Sequence, residues 1–522
     1  MTSSARLALS VSLCLLGPVL SATGCEDKAP PKHPEPAPVA QTQPTEAPAP
    51  AGPETWVGAV EVPGAKLKFV ARLAPPADAK DPKAAWTGRL DIPMQGVKDF
   101  PLQDVSVAPD GLDFVLAPPG ATENQWAVFS FERPAAAGEA RGTLSQSGQS
   151  FPATMRRLAP GEPVDVAPKR PQEPKPPFAY ATREVTFASA AADKVALAGT
   201  LSLPQGTGPF PAVVLLTGSG PQDRDEALMG HKPFLVIADH LTRAGVAVLR
   251  FDDRGVGGSK GVLDRATQAD LAGDARGALE FLAQQPEVAR DRLGLVGHSE
   301  GAMIAARAAG LDKRVRHIVM LAGPGVSGHE IMPMQLAAIA RAQGTAQADI
   351  DVQVKEQKEV LAAILGKKPR AELEAITRRL VAAQAPGATE KQVEALVAAS
   401  LGSLDTPWFH DFLKADPRAD LRKLKTTPVL ALIGSLDLQV PHEGNLPEIE
   451  KALARAGNKA STVKSLPGLN HLFQHAKTGS PSEYADIEEY NEKYRGAMIF
   501  WRFDRAKRRI VKDESFAIEL PP

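Results

Sequence analysis

Gly297-His298-Ser299-Glu300-Gly301 constrains this chain more than any other stretch, because two glycines bracket a serine where an apolar run meets a small-residue run. The apolar run is Leu293-Gly294-Leu295-Val296, and the small one is Ala302-Met303-Ile304-Ala305-Ala306-Arg307-Ala308-Ala309. Together they read as strand, very tight turn and helix, the G-x-S-x-G elbow in which a strained serine presents its Oγ. Side chains two residues either side of that serine would collide, so Gly297 and Gly301 are mechanical requirements. A serine hydroxyl is a poor nucleophile without an adjacent base, and the base needs an orienting carboxylate. The elbow therefore sends the search downstream for an acid and a histidine.

At 522 residues the chain exceeds one ordinary domain, and two folded units joined by linkers are expected. Sixty Lys and Arg nearly cancel 61 Asp and Glu, which leaves no global field to draw in nucleic acid or anionic lipid. Ten histidines and two cysteines show neither C-x-x-C nor H-E-x-x-H spacing, so no structural zinc site is expected, and acyl transfer by a serine would need neither metal nor cofactor.

Residues 1–24 read as a signal peptide: Arg6, a mostly apolar run from Leu7 to Leu20, then Ser21-Ala22-Thr23-Gly24. Ala22-Thr23-Gly24-Cys25 resembles a bacterial lipobox, which makes Cys25 the expected lipidation site; plain cleavage before Cys25 is the alternative. The expectation is export to the cell envelope, periplasmic or surface-facing, with membrane contact only through that N-terminal anchor. Residues 25–54 are rich in Pro and Ala and read as an extended linker.

Residues 55–158 read as a small all-β domain, a sandwich or barrel. Leu67, Phe69 and Ala71 alternate with Lys66, Lys68 and Arg72, and further strands are predicted at Trp86–Ile92, Leu112–Leu116, Trp126–Phe131 and Thr154–Leu158. Trp56, Trp86 and Trp126 read as core, and no partner for this domain can be named from its residues. A second linker, 159–178, leads to the body, 179–522. There, apolar strands alternate with helical segments such as Pro233–Arg243 and Gln268–Gln284, which implies a mostly parallel sheet covered on both faces. A helical insertion from about 326 to 425 interrupts the alternation and reads as a cap over the site.

Resemblance adds to this. The serine elbow, Leu216-Thr217-Gly218-Ser219-Gly220-Pro221-Gln222-Asp223-Arg224-Asp225, Phe251-Asp252-Asp253-Arg254-Gly255 and Leu469-Asn470-His471-Leu472-Phe473-Gln474 resemble the α/β-hydrolase superfamily. Within it they are similar to bacterial secreted esterases of the serine-aminopeptidase-like or dienelactone-hydrolase-like group. The resemblance spans about Phe178 to Gln474 and implies an α/β-hydrolase fold, with catalytic residues in the order Ser, acid, His. Ser299, Asp437 and His471 stand in that order; Asp437 follows the strand Val429–Ile433, and His471 follows Thr462–Leu466. Glu443 is the second choice of acid and His475 of base. Oxyanion donors are expected from the backbone N–H of Glu300 and of Ser219, with Gly220 as alternative, because Thr217-Gly218-Ser219 stands where His-Gly-x is frequent. Asp252, Asp253 and Arg254 read as structural ties. After Pro481, the stretch Ile487–Arg509 is highly charged where the resemblance implies an amphipathic helix.

The expected chemistry is hydrolysis of a small carboxylic ester of modest acyl chain through an acyl-enzyme. A peptidase or amidase of the serine aminopeptidase type is the alternative, and an inactive envelope binding protein the alternative outside the enzymes.

Overall fold

The structure, a computed structural model, describes residues 52–489 apart from 63–64, 77–84, 94–96, 109, 119–122, 124–125, 133–137, 147–148 and 165–168, together with 503–504 and 509–510. The expected signal peptide and lipidation site Cys25, most of the first linker and most of the charged stretch after Ile487 lie outside the described residues. The chain divides into two compact units, the bulk of the first lying before Ala167 and the bulk of the second after Pro168.

The first unit is one antiparallel sheet of nine strands. In chain order they are β1 (Glu54–Val62), β2 (Ala65–Ala74), β3 (Thr87–Ile92), β4 (Val97–Pro101), β5 (Gln103–Val107), β6 (Gly111–Leu116), β7 (Ala127–Glu132), β8 (Glu139–Gln146) and β9 (Gln149–Arg157). Their order across the sheet is β4-β3-β2-β1-β9-β8-β7-β6-β5. The two outermost strands, β4 and β5, are separated in sequence by Leu102 alone, so the ends of the sheet must come together there. The Leu102 N–H donates to the Gly88 carbonyl in β3 at 2.9 Å and seals the junction. A nearly closed barrel results, which decides between the two architectures that the sequence allowed.

Strict alternation, buried-exposed-buried along β7, turns one face inward. Phe69, Phe114, Phe129 and Phe131 meet inside with ring centroids 4.8–6.4 Å apart. Trp56 is fully buried among them, whereas Trp86 is half-buried and packed against that core. Trp126 is half-buried too.

The second unit carries an eight-stranded sheet: β10 (Ala181–Ala188), β11 (Ala196–Leu203), β12 (Phe210–Leu216), β13 (Ala247–Phe251), β14 (Val288–His298), β15 (Val315–Leu321), β16 (Val429–Gly434) and β17 (Thr462–Leu466). The order is β10-β11-β13-β12-β14-β15-β16-β17, antiparallel through β11 and parallel from β13 onward. This is the sheet order of the α/β-hydrolase fold. Strand order reverses around β12, and a crevice opens at the carboxyl ends of strands at such a switch point.

Helix α1 (Pro233–Arg243) starts with Pro at its first turn and lays Phe234, Ile237 and Leu241 on Val213, Leu215, Val248 and Val296. Helix α2 (Gln268–Ala283) is capped by Thr267, which exchanges hydrogen bonds with Asp270 in a capping box. Helix α3 (Glu300–Leu311) is alanine-rich, and Ala302, Ala305, Ala306 and Ala308 are wholly buried. Residues this small let α3 lie close against β14 and β15. Between β15 and β16 the insertion forms α4 (Gly328–Ala342), α5 (Gln347–Leu365), α6 (Arg370–Gln384), α7 (Glu390–Leu404), α8 (Pro407–Lys414) and α9 (Pro417–Leu421). Helix α10 (His442–Arg455) joins β16 to β17.

Candidate active site

Register brings the site together. Leu216, the last residue of β12, lies beside Gly297 of β14, and His298 lies beside Leu321 of β15. The loop after β12 and the serine after β14 therefore emerge side by side. Gly434 and Leu466, the last residues of β16 and β17, are likewise paired, so the loops carrying Asp437 and His471 leave the sheet together.

Ser299 sits at φ +52°, ψ −119°, a conformation that L residues rarely adopt. It is held by its own N–H, which donates to the Leu321 carbonyl at 2.8 Å, and by α3, which begins at the next residue. A Cβ on Gly297 would lie 2.1 Å from the Gly301 carbonyl oxygen, and one on Gly301 would lie 2.2 Å from that of Leu216. Both glycines are needed for close backbone approach, and strain of this kind persists only where surrounding structure enforces it.

Asp437 and His471 are both buried, and His471 Nδ1 donates to Asp437 Oδ2 at 2.8 Å. The other carboxylate oxygen, Oδ1, accepts the backbone N–H groups of Gln439 and Val440 at 2.9 and 2.8 Å. Asn470 is fully buried and shapes the histidine loop, its Oδ1 accepting the N–H groups of Leu472 and Gln474. The Leu436 N–H donates to the Leu469 carbonyl at 2.9 Å and laces the acid loop to the base loop. The structure places the second choices outside this buried pair. Glu443 is exposed and pairs with His442, and His475 is exposed at its own loop's far end.

The loop after β12 runs beside the serine: a Cβ on Gly218 would lie 3.3 Å from Ser299 Cβ. The Gly218 N–H donates to Glu226 Oε1 at 2.6 Å, whereas the Ser219 N–H has no protein acceptor among the described residues. Glu300 is the first residue of α3, where an N–H has no intrahelical acceptor. Asp253 anchors this loop from β13, accepting Thr217 Oγ1 at 2.8 Å and the Gln222 N–H at 2.9 Å. Burial pushes its carboxyl well above the usual carboxylate range, although both hydrogen bonds oppose this. Arg224 pairs with Asp252 at 2.8 Å, and Arg254 pairs with Asp274 at 2.7 Å. The aspartates and arginine after β13 thus act as ties, and Asp253 ties the loop nearest the serine.

The flanking side chains point away from Ser299. His298 Nδ1 meets Glu226 Oε1 at 2.9 Å, and His298 Nε2 meets the His471 carbonyl at 3.0 Å, with the two imidazole centroids 4.7 Å apart. Burial alone would lower the His298 pKa, but Glu226 and the His471 carbonyl outweigh it and the net direction is upward. Glu300 Oε1 accepts from Trp408 Nε1 in α8 at 3.1 Å and from Gln268 Nε2 in α2. The insertion therefore reaches the first residue of the elbow helix. Glu226, Gln268 and Trp408 are site residues that the sequence did not expose. For Glu226 a signal existed, an acidic run ending at a strand's carboxyl-terminal loop.

Burial raises the Glu300 carboxyl from the ordinary 4.5 to about 7, against the two donors. The folded state then keeps a proton that the unfolded chain has lost, so Glu300 costs stability as pH rises from about 4.5 to about 7. Glu300→Gln keeps an oxygen for both donors and removes the charge. It is expected to match the parent's thermal stability near pH 4.5 and to exceed it at pH 8, by on the order of 1–3 kcal/mol. Melting curves at the two pH values check this, and equal stability at pH 8 would refute it.

A cavity of about 40 Å³ lies behind the elbow, lined in part by Leu216, Gly218, Asp253, Glu300 and Ile304. A larger one of about 600 Å³ lies between α4 and α5, with Pro333, Met334, Ile350, Val354 and Leu361 among its walls. None of Ser299, Asp437 and His471 lines it. Among the described residues no group of three His, Cys, Asp or Glu could hold a metal ion.

Residues 232–477 match the family model described as serine aminopeptidase, S33. Esterase EstD of Thermotoga maritima is 30% identical over 289 residues, 55% of this chain and 61% of that protein. The chain thus spans about three-fifths of the length of that relative. Polyketide transferase af380 of Aspergillus fumigatus is 41% identical over 80 residues, 15% of this chain and 27% of its own. Among solved structures, the alpha/beta hydrolase GrgF from Penicillium sp. sh18 is similar at 18% identity and a TM-score of 0.37, over 56% of this chain and 91% of that one.

Proposed function

We propose that the second unit, which has the sheet order of the α/β-hydrolase fold, is a serine hydrolase that cleaves carboxylic esters of modest acyl chain through an acyl-enzyme. The observations that carry the proposal are the buried His471–Asp437 pair at 2.8 Å and a serine strained to φ +52°, whose neighbour His298 lies 3.0 Å from the His471 carbonyl. In this reading Ser299 Oγ attacks the carbonyl carbon while His471 takes its proton. Asp437 holds the imidazole in the tautomer whose Nε2 is free to accept, and stabilises the imidazolium that forms. Negative charge on the carbonyl oxygen is met by the N–H groups of Glu300 and Ser219. His471 then protonates the leaving alcohol, and a water activated by the same ring releases the acid.

An amide would pass through the same steps, and the match to a model described as serine aminopeptidase favours a peptidase as the second reading. The test is hydrolysis of p-nitrophenyl esters of graded chain length beside aminoacyl p-nitroanilides. Ester turnover that falls as the acyl chain lengthens is expected. Turnover of anilides alone would move the protein to the second reading, and silence on both would refute the two together.

A further inference from the structure

Glu226 and His298 lie outside the acyl-transfer chemistry, yet together they touch both of the loops that it needs. Glu226 ends the acidic run after β12, at φ +51°, and is buried. Its Oε1 receives two donors, the Gly218 N–H at 2.6 Å and His298 Nδ1 at 2.9 Å. Its Oε2 is buried with no partner among the described residues, so the whole hydrogen-bonding load falls on one oxygen. Across the ring, His298 Nε2 faces the backbone carbonyl of His471 at 3.0 Å. A carbonyl can only accept, so Nε2 must carry a proton.

We infer that Glu226 and His298 are positioning residues for the proposed acyl transfer, one carboxylate and one imidazolium clamping the oxyanion loop to the loop of the catalytic base. The inference rests on the reading of Ser299 as nucleophile. Its physical basis is proton counting. A neutral imidazole has one N–H and can serve either Glu226 or the His471 carbonyl as donor, not both. With Glu226 a carboxylate, which can only accept, serving both requires the imidazolium, and a buried imidazolium requires such a carboxylate within contact. The upward shift of the His298 pKa agrees in direction.

The pair thereby joins three segments at fixed spacing: Gly218, adjacent to the assigned donor Ser219; His298, adjacent to Ser299; and His471 itself. Glutamine at 226 has nearly the same shape but cannot do this. With its oxygen toward Gly218, it leaves a buried imidazolium without a counter-charge. With its NH₂ group there, it faces the Gly218 N–H donor to donor. Either way the clamp opens while the rest of the site is intact.

The test measures kcat and KM for a short p-nitrophenyl ester, and affinity for an alkyl boronic acid whose tetrahedral serine adduct needs the oxyanion donors. Wild type, Glu226→Gln, His298→Asn, the double variant and Ser299→Ala are compared at matched circular dichroism. Glu226→Gln is expected to lower kcat by roughly 10–100-fold, the scale of an ångström-sized misplacement, with KM within about threefold. Boronate affinity should fall in step, and the double variant should lose no more than about threefold beyond the worse single, because the residues act as one unit. A merely structural role would not move boronate affinity and kcat together at constant KM. Ser299-dependent turnover that tolerates Glu226→Gln within threefold, or effects that multiply in the double variant, would overturn the clamp and leave the acyl-transfer reading standing. Turnover that survives Ser299→Ala would overturn that reading, and the clamp with it. Should Glu226→Gln not fold, His298→Asn decides by the same criteria.

Discussion

Ser299→Ala is expected to lower kcat on a short p-nitrophenyl ester by roughly 10⁵–10⁶-fold, with folding unchanged. The size follows from the elbow. Strain at φ +52° is imposed by the Ser299 N–H bond to Leu321 and by the glycine contacts at 297 and 301, none of which uses the hydroxyl. Removing Oγ therefore takes away the nucleophile and leaves its support in place. His471 and the backbone donors would remain, and a residual rate well above that of water is expected from them. Active-site titration with a fluorophosphonate gives an independent readout: stoichiometric labelling of wild type, none of the variant. Retention of more than about one-hundredth of the wild-type rate would refute the assignment of Ser299.

Asp437→Asn is expected to lower kcat by roughly 10³–10⁴-fold at little change in KM, and the reason lies in which oxygen is already committed. Oδ1 accepts two backbone N–H groups, from Gln439 and Val440. An asparagine must place its own oxygen there, since an NH₂ group would confront two donors. That turns the NH₂ group toward His471 Nδ1, which then has to accept. The proton moves to Nε2, the nitrogen that should take the proton of Ser299, and the base is lost through its tautomer while the ring stays in place. Loss of less than tenfold would mean that another group orients His471. Glu443 is a poor candidate, because its side chain is 75% exposed and pairs with His442.

The two variants test links of different kinds. Ser299 is local: the elbow was legible because two glycines, a serine, an apolar run and a small-residue run occupy about seventeen consecutive positions. The Asp437–His471 pair is non-local. Its members lie 34 residues apart, and only the matched ends of β16 and β17 bring them to 2.8 Å. The order of elements pointed to these two residues, yet order alone could not separate Asp437 from Glu443 or His471 from His475. Burial separates them, since both members of the observed pair are enclosed and both alternatives are exposed.

The sequence by itself determined what depends on neighbours in the chain. Period-two alternation specified that the first unit is β, and alternation of apolar runs with helical segments specified a mostly parallel sheet in the second. The tight turn at Ser299 and the helical character of the insertion were equally local. Tertiary structure decided what depends on distant segments meeting. Alternation assigns one face of each strand to a core whether the sheets stack or close, so the barrel was settled by β4 and β5 meeting around Leu102. Glu226 lies 72 residues before His298, and Trp408 lies 108 after Glu300; each pair is made by burial of a polar group that must find a partner wherever the fold supplies one. The acidic run after β12 marks that stretch in the sequence, but not which of its carboxylates has a task. The task of Glu226 is fixed only when the sheet has placed two donors on one of its oxygens.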